Sequence, residues 1–281
     1  MNNAFSMNNI TKRYKNFTLD NITLSLPTGC VMGLVGENGA GKTTLLKILY
    51  GAIRSEGELS LLGETDVNKI WEVRQKIGIV PDEVNYPLSF KLKEIDGMMN
   101  KCFDKWNSNM FFEYADRFEI SENTKFKDYS FGMKKKIAIS AALSHNADLL
   151  ILDEATSGLD PVVRDEFAEI IFEFTRDENH SVLFSSHIVT DLEKLCDYIA
   201  ILHKGRLIMC EEKDVLLDSY RKISCTEEEL KIYDRRDILG RRATPYGVQA
   251  IVRTDAVKNN HNAEPTTIED IFVQMIKGEE K

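Results

Sequence analysis

Gly36-Glu37-Asn38-Gly39-Ala40-Gly41-Lys42-Thr43 fits the spacing G-x-x-x-x-G-K-[ST]. It stands after the short apolar run Cys30-Val31-Met32-Gly33-Leu34-Val35 and opens the helix-like stretch Thr43-Thr44-Leu45-Leu46-Lys47-Ile48-Leu49. Strand, glycine loop, helix is the order a phosphate cradle needs. Glycines let backbone N–H groups converge on one anion, and the helix N-terminus adds its positive dipole end. Lys42 is expected to reach the β and γ phosphates. Thr43 is expected to place its hydroxyl on Mg²⁺, a cation that prefers few protein ligands plus phosphate oxygens. A triphosphate with magnesium is therefore the implied ligand, with Gly36 through Thr44 as its cradle.

Downstream, Leu149-Leu150-Ile151-Leu152 and Ser181-Val182-Leu183-Phe184-Ser185 are apolar runs of buried-strand length. A helix carrying Val163, Phe167, Ile170, Ile171 and Phe174 separates them, and Asp160-Pro161 supplies its cap and first-turn proline. Alternating strand and helix predicts a largely parallel sheet with helices on both faces. Upstream, Phe5, Met7 and Ile10, then Phe17, Leu19, Ile22, Leu24 and Leu26, alternate as an antiparallel edge, with a break expected at Asp20-Asn21. From about Val73 to Leu143 the spacing of Leu92, Ile95 and Met98-Met99, and then of Phe111, Phe112, Tyr114 and Phe118, predicts a helical insertion. After Tyr220 the pattern weakens to short strand-like pieces such as Gly247 to Val252, a polar stretch Lys258-Asn259-Asn260-His261-Asn262 and a closing helix over Ile268 to Ile276.

The second chemical signal is Asp153-Glu154, two carboxylates ending the Leu149 strand. Side chains alternate along a strand, so the pair can divide two tasks. Asp153 would hold magnesium through its water shell. Glu154 would polarise a water for in-line attack on the γ-phosphate as a general base. Alone, such a pair could equally cap the next helix.

The chain has 281 residues, enough to bury a sizeable core, with 43% apolar and 29% charged residues. This composition excludes fibrous and disordered classes. A net charge of −9 argues against a nucleic-acid partner. Five scattered cysteines, none paired as CxxC, are expected to be reduced and mostly packed. No run approaches the ~20 apolar residues of a membrane span, and the N-terminal residues lack the apolar centre of a signal peptide, so a cytoplasmic location is expected.

With these elements in order, the sequence resembles the nucleotide-binding subunit of an ABC (ATP-binding cassette) transporter over about residues 5 to 220. In that family a Leu-Ser-Gly-Gly-Gln signature opens a helix ahead of the acidic strand end. Tyr129-Ser130-Phe131-Gly132-Met133 occupies that place here, although Ser130 read by itself is an ordinary helix cap. Ser157-Gly158-Leu159-Asp160 resembles the loop that crosses the dimer interface, and Ser186-His187 resembles the switch histidine, with a capping or core histidine as the alternative. Tyr14 sits where the family stacks an aromatic on adenine, with Phe17 competing and plain core open to both.

The resemblance implies an α/β fold: a P-loop NTPase core with a mostly parallel sheet, an antiparallel β edge subdomain and a helical insertion subdomain at about 83–145. Residues 1–220 would form the nucleotide-binding domain and 221–281 a small accessory region. ATP would lie between the phosphate loop of one protomer and the Ser130 and Gly132 turn of the other, in a homodimer or heterodimer. A separately encoded membrane permease is the implied partner, placing the subunit at the cytoplasmic membrane surface. The tail Thr267-Ile268-Glu269-Asp270-Ile271-Phe272 resembles exporter-type subunits, or is a helix-capping pair.

Two departures bear on mechanism. Asp82 stands where the family has Gln, and it could bind Mg²⁺ directly or through water, with Glu83 as the alternative if the loop shifts by one. Phe131 and Met133 replace the small residue and the Gln of the signature. Tyr86 and Phe90 fall where such subunits receive a short helix from the permease, or are core of the helical lobe. A soluble ABC ATPase, or a regulatory nucleotide switch without a permease, is the competing reading.

Overall fold

The computed structural model describes residues 2–66, 70–257 and 263–279; the polar stretch 258–262 lies outside them. The first half of the chain runs β1 (Asn3–Arg13), β2 (Thr18–Pro27), β3 (Val31–Gly36), α1 (Lys42–Leu49), β4 (Glu56–Leu61), α2 (Ile70–Arg74), β5 (Ile77–Val80), α3 (Leu92–Cys102), α4 (Ser108–Arg117) and α5 (Phe131–Leu143). It continues through β6 (Leu149–Asp153), α6 (Pro161–Phe174), β7 (Ser181–Ser186), α7 (Val189–Leu195), β8 (Tyr198–His203), β9 (Arg206–Glu212) and α8 (Lys213–Ser219). Last come β10 (Tyr220–Cys225), α9 (Glu227–Leu230), β11 (Ile238–Thr244), β12 (Gly247–Arg253), β13 (Ala263–Pro265) and α10 (Ile268–Glu279).

The central sheet has six strands in the order β5-β6-β7-β3-β8-β9. All neighbours are parallel except the β8–β9 edge pair. Its inner strands β3, β6 and β7 are buried throughout because both faces are covered, and their apolar side chains alternate between two cores. Val31, Val35, Leu150 and Leu152 join the core beneath α3 to α7. Met32, Leu34, Leu149 and Ile151 join the other, under α1 and the antiparallel sheet β2-β1-β4. Helices α3, α4 and α5 are the insertion between β5 and β6.

The expected break at Asp20-Asn21 is absent. β2 runs through it as a bulged strand, with Asn21 at φ 51° and the β1 register shifting between Ile10 and Lys12. A bulge absorbs one extra residue without ending the pairing. Of the cysteines, all free, Cys196 is buried in the larger core and Cys30 and Cys225 are half-buried against the other two, whereas Cys102 and Cys210 are exposed, so three of the five are packed. Residues from Tyr220 onward build a separate four-stranded antiparallel sheet, β11-β12-β10-β13, with its own small core of Ile223, Leu230, Val248, Ala250 and Val252. Its Ile251, with Ile268 and Ile271 of α10, joins the larger core. The Thr267 hydroxyl accepts from the Asp270 N–H (3.1 Å), and Lys222 pairs with Asp270 (3.2 Å). No helix among the described residues is long and apolar enough to cross a membrane.

Candidate functional site

The C-terminal ends of the parallel strands are where an open α/β sheet binds ligands, and the loops after β3, β6 and β7 carry the chemistry at that edge. The first, after β3, is the phosphate loop. Gly41 caps α1 at φ 109°, and a Cβ there would stand 2.7 Å from Cζ of Phe17, so a side chain is excluded by both backbone and neighbour. The first helical hydrogen bond of α1 is Leu45 N–H to the Gly41 carbonyl (2.9 Å), which leaves the amides of Lys42, Thr43 and Thr44 ahead of the helical ladder. The buried Lys42 ammonium donates to the Gly36 carbonyl (2.7 Å) and the Glu37 carbonyl (3.4 Å), and lies 3.4 Å from Glu154 Oε1. Glu37, Asn38 and Gly39 are exposed, and Ala40 is buried. Helix-start amides on the same loop as an ammonium fit a polyphosphate.

The second and third loops end β6 and β7. Glu154 holds a left-handed φ of 49°, uncommon for a non-glycine residue. Its N–H is held by the Ser185 carbonyl (3.1 Å) and the Ser185 hydroxyl (3.1 Å). The Glu154 carboxylate, nearly buried, sits between Lys42 and His187: Oε2 is 2.6 Å from His187 Nδ1 and accepts from the His187 N–H (3.3 Å). The buried Asp153 carboxylate accepts from the Ser185 hydroxyl (2.6 Å). Lys42, Asp153, Glu154 and His187 are thus one cluster. Asp153 and the Thr43 hydroxyl offer oxygens of the kind Mg²⁺ takes alongside phosphate, so the residues fit a magnesium nucleotide.

Ser130 caps α5, its hydroxyl accepting from the Met133 N–H (3.3 Å). A Cβ on Gly132 would meet the Gly158 carbonyl at 3.0 Å, and one on Gly158, at φ 76°, would meet the Phe131 ring at 2.6 Å. This turn packs against Gly158 and Leu159.

The sequence profile of the ABC transporter family matches residues 19–157. The lantibiotic transport ATP-binding protein SrtF of Streptococcus pyogenes is 33% identical over 213 residues, covering 73% of this chain and 90% of its own. The chain belongs to the ABC transporter ATP-binding family. The bacitracin transport ATP-binding protein BcrA of Bacillus licheniformis is 28% identical over 302 residues, covering 99% of each chain. A structure of the ATP-binding cassette MJ0796, dimeric and bound to ADP and Pi, superposes with a TM-score of 0.67 at 21% identity over 74% of this chain and 98% of that one, a likeness of fold.

In this ABC subunit Phe17 lies beneath the phosphate loop, against Gly41, while Tyr14 is 46% exposed beside it, ring centroids 6.5 Å apart. Tyr86 packs edge-on to Phe126 (5.4 Å) and Phe90 against the same core, whereas Leu88 between them is 63% exposed. Asp82 is half exposed, its Oδ1 3.6 Å from the Lys135 ammonium, and the structure gives it no contact with Thr43 or Asp153. Sequence reasoning missed three participants. Ser185 binds both acidic residues, and its signal was a hydroxyl inside an apolar strand directly before Ser186-His187. His203, buried at the end of β8, brings Nδ1 to 3.2 Å from Glu37 Oε2. Lys135, fully buried, gave no signal in a run of three lysines.

Proposed function

We propose that this ATPase subunit closes head to tail with a second nucleotide-binding subunit around ATP, and that closure drives a separately encoded membrane permease in the export direction. The observation that carries the reading is the Glu154 carboxylate, held between the Lys42 ammonium and His187 Nδ1 at the mouth of the phosphate loop. That is the place from which a base can take a proton from water attacking a γ-phosphate bound on Lys42. The relatives named for lantibiotic and bacitracin transport support a transport role, and one named for Nod factor export supports the direction.

In this mechanism the Gly39–Thr44 amides and Lys42 bind and orient the β and γ phosphates. Bound magnesium, held by Thr43 and Asp153, would neutralise charge on those phosphates. Glu154 accepts the water's proton, and His187 keeps the carboxylate aimed. Tyr14, the exposed aromatic of its pair with Phe17, is the candidate adenine stack. Ser130 and the amides at Gly132 are turned to the γ-phosphate on the second subunit, which makes a lone protomer a slow ATPase. The permease, through which the subunit is peripheral to the membrane, meets the lobe carrying Leu88.

The test is sizing of Glu154→Gln with and without ATP and Mg²⁺, together with turnover. Hydrolysis is expected to fall about 100-fold or more, the usual scale of a lost general base, and ATP to shift the variant from monomer to dimer. Turnover at the wild-type rate would mean another base. Bound ATP without a size shift would favour a regulatory switch, or a need for a different cassette.

A further inference from the structure

Helix α5 begins with the signature turn and carries Lys134-Lys135-Lys136, of which two face outward and one does not. Lys134 lies over the Phe126 ring and Lys136 donates to the Phe118 carbonyl, each half-buried. Lys135 has no exposed surface. Its ammonium donates to the Pro81 carbonyl (2.9 Å) and to the Asp153 carbonyl (3.1 Å), and stands 3.6 Å from Asp82 Oδ1 and 5.5 Å from the centre of the Phe131 ring.

The two carbonyls are informative by their position. One belongs to the peptide joining Pro81 to Asp82 beyond β5, and the other to the peptide joining Asp153 to Glu154 at the end of β6. An ammonium that holds both peptide planes orients the two acidic residues that follow them. Phe131, on the other side, covers Gly158. One cation therefore touches the signature turn directly, the ends of two parallel strands, and the Gly158 loop through Phe131. Burial pushes its pKa below the usual lysine range, opposed by the charges of Asp82, Asp153 and Glu154. An apolar side chain of this length would fill the space at lower desolvation cost, so packing alone does not account for a lysine here.

We propose that Lys135 is a positioning residue for ATP hydrolysis, acting as one unit with Asp82 to orient the Asp153-Glu154 end of β6 relative to the signature turn. This rests on the hydrolytic role of Glu154 given above. The role of Asp82 is then to keep the ammonium in place.

The experiment is a double-mutant cycle of Lys135→Met, Asp82→Asn and the pair, read by kcat and KM for ATP, by affinity for a fluorescent ATP analogue without turnover, and by thermal midpoint. Each single substitution is expected to lower kcat about tenfold, with KM and analogue affinity changed by less than about threefold, and the pair to be no slower than the worse single, a coupling of about tenfold. Additive losses, or wild-type kcat in Lys135→Met, would overturn the proposal. If Lys135→Met does not fold, Asp82→Asn at its half-exposed site and Lys135→Gln decide the matter: equal losses of kcat with affinity kept support it, and full turnover in either overturns it. Wild-type protein that binds the analogue but never hydrolyses ATP would instead remove the hydrolytic reading on which the proposal stands.

Discussion

Ser185→Ala tests whether the two acidic residues are organised from the neighbouring strand. The Ser185 side chain is fully buried; its hydroxyl donates to Asp153 Oδ1 at 2.6 Å and accepts the Glu154 N–H at 3.1 Å. The second bond has a substitute, because the same N–H also reaches the Ser185 backbone carbonyl at 3.1 Å, which alanine keeps. The first has none on that oxygen. A hydrogen bond to a charged group contributes about 1.5–3 kcal/mol, so a destabilisation of about 2 kcal/mol is expected. At roughly 2–4 °C per kcal/mol for a chain of this size, the thermal midpoint should fall by about 4–8 °C. Turnover should fall about tenfold, since the carboxylate proposed for magnesium loses its fixed rotamer. Calorimetry and a steady-state phosphate-release assay over a magnesium titration read both effects. A midpoint within a degree of wild type, with an unchanged magnesium dependence, would refute the reasoning.

Lys42→Ala removes an ammonium that donates to the phosphate loop and faces Glu154. Losing about 3 kcal/mol of charge-assisted phosphate contact corresponds to roughly 100-fold weaker nucleotide binding, measured by titration with a fluorescent analogue, and unchanged affinity would remove the phosphate-loop assignment. His145 lies buried between the Ala141 carbonyl (3.2 Å) and the Ile77 carbonyl (3.0 Å), stacked on Phe103, and burial pushes its pKa below the ordinary histidine value of 6.5. Above the unfolded pKa both states are neutral. Below it the unfolded chain binds the proton first, so stability is lost as pH falls from about 6.5, by at most about 1.4 kcal/mol per pH unit from this one group. Denaturant titrations between pH 5 and 8 should show this slope reduced in His145→Gln, and an identical slope would assign it to other groups.

The parts of the fold and site that could be read in the sequence are those whose signal is local. Val31-Met32-Gly33-Leu34-Val35 is apolar at every position because both faces of its strand are covered, and Gly36 through Thr43 carries loop, helix start and ammonium within eight consecutive positions. Asp153 and Glu154 stand out because two carboxylates end a buried strand. The C-terminal sheet was only partly visible for the opposite reason. Tyr220–Cys225 and Ile238–Thr244 carry Arg221, Lys222, Arg241 and Arg242 on short, partly exposed strands, which blurs the period of two.

What stayed hidden depends on partners far away in sequence, and it is also what gives the site its geometry. Ser185 lies 32 residues from Asp153, and Lys135 lies 54 residues from Pro81; neither pairing leaves a trace in any window that periodicity inspects. Lys135 is the sharper case, because a lysine between two lysines reads as a solvated helix face, and only the convergence of α5 on the ends of β5 and β6 turns one of the three inward. Asp82 carries the same lesson. In the sequence its carboxylate is a candidate for magnesium, since a departure from Gln in a nucleotide site is judged by the ligand it would touch. In the fold it lies 3.6 Å from an ammonium belonging to the helix that starts at the signature. The Asp82 carboxylate and the buried lysine on α5 therefore face each other as an ion pair, and substituting either alone leaves a charge without that partner.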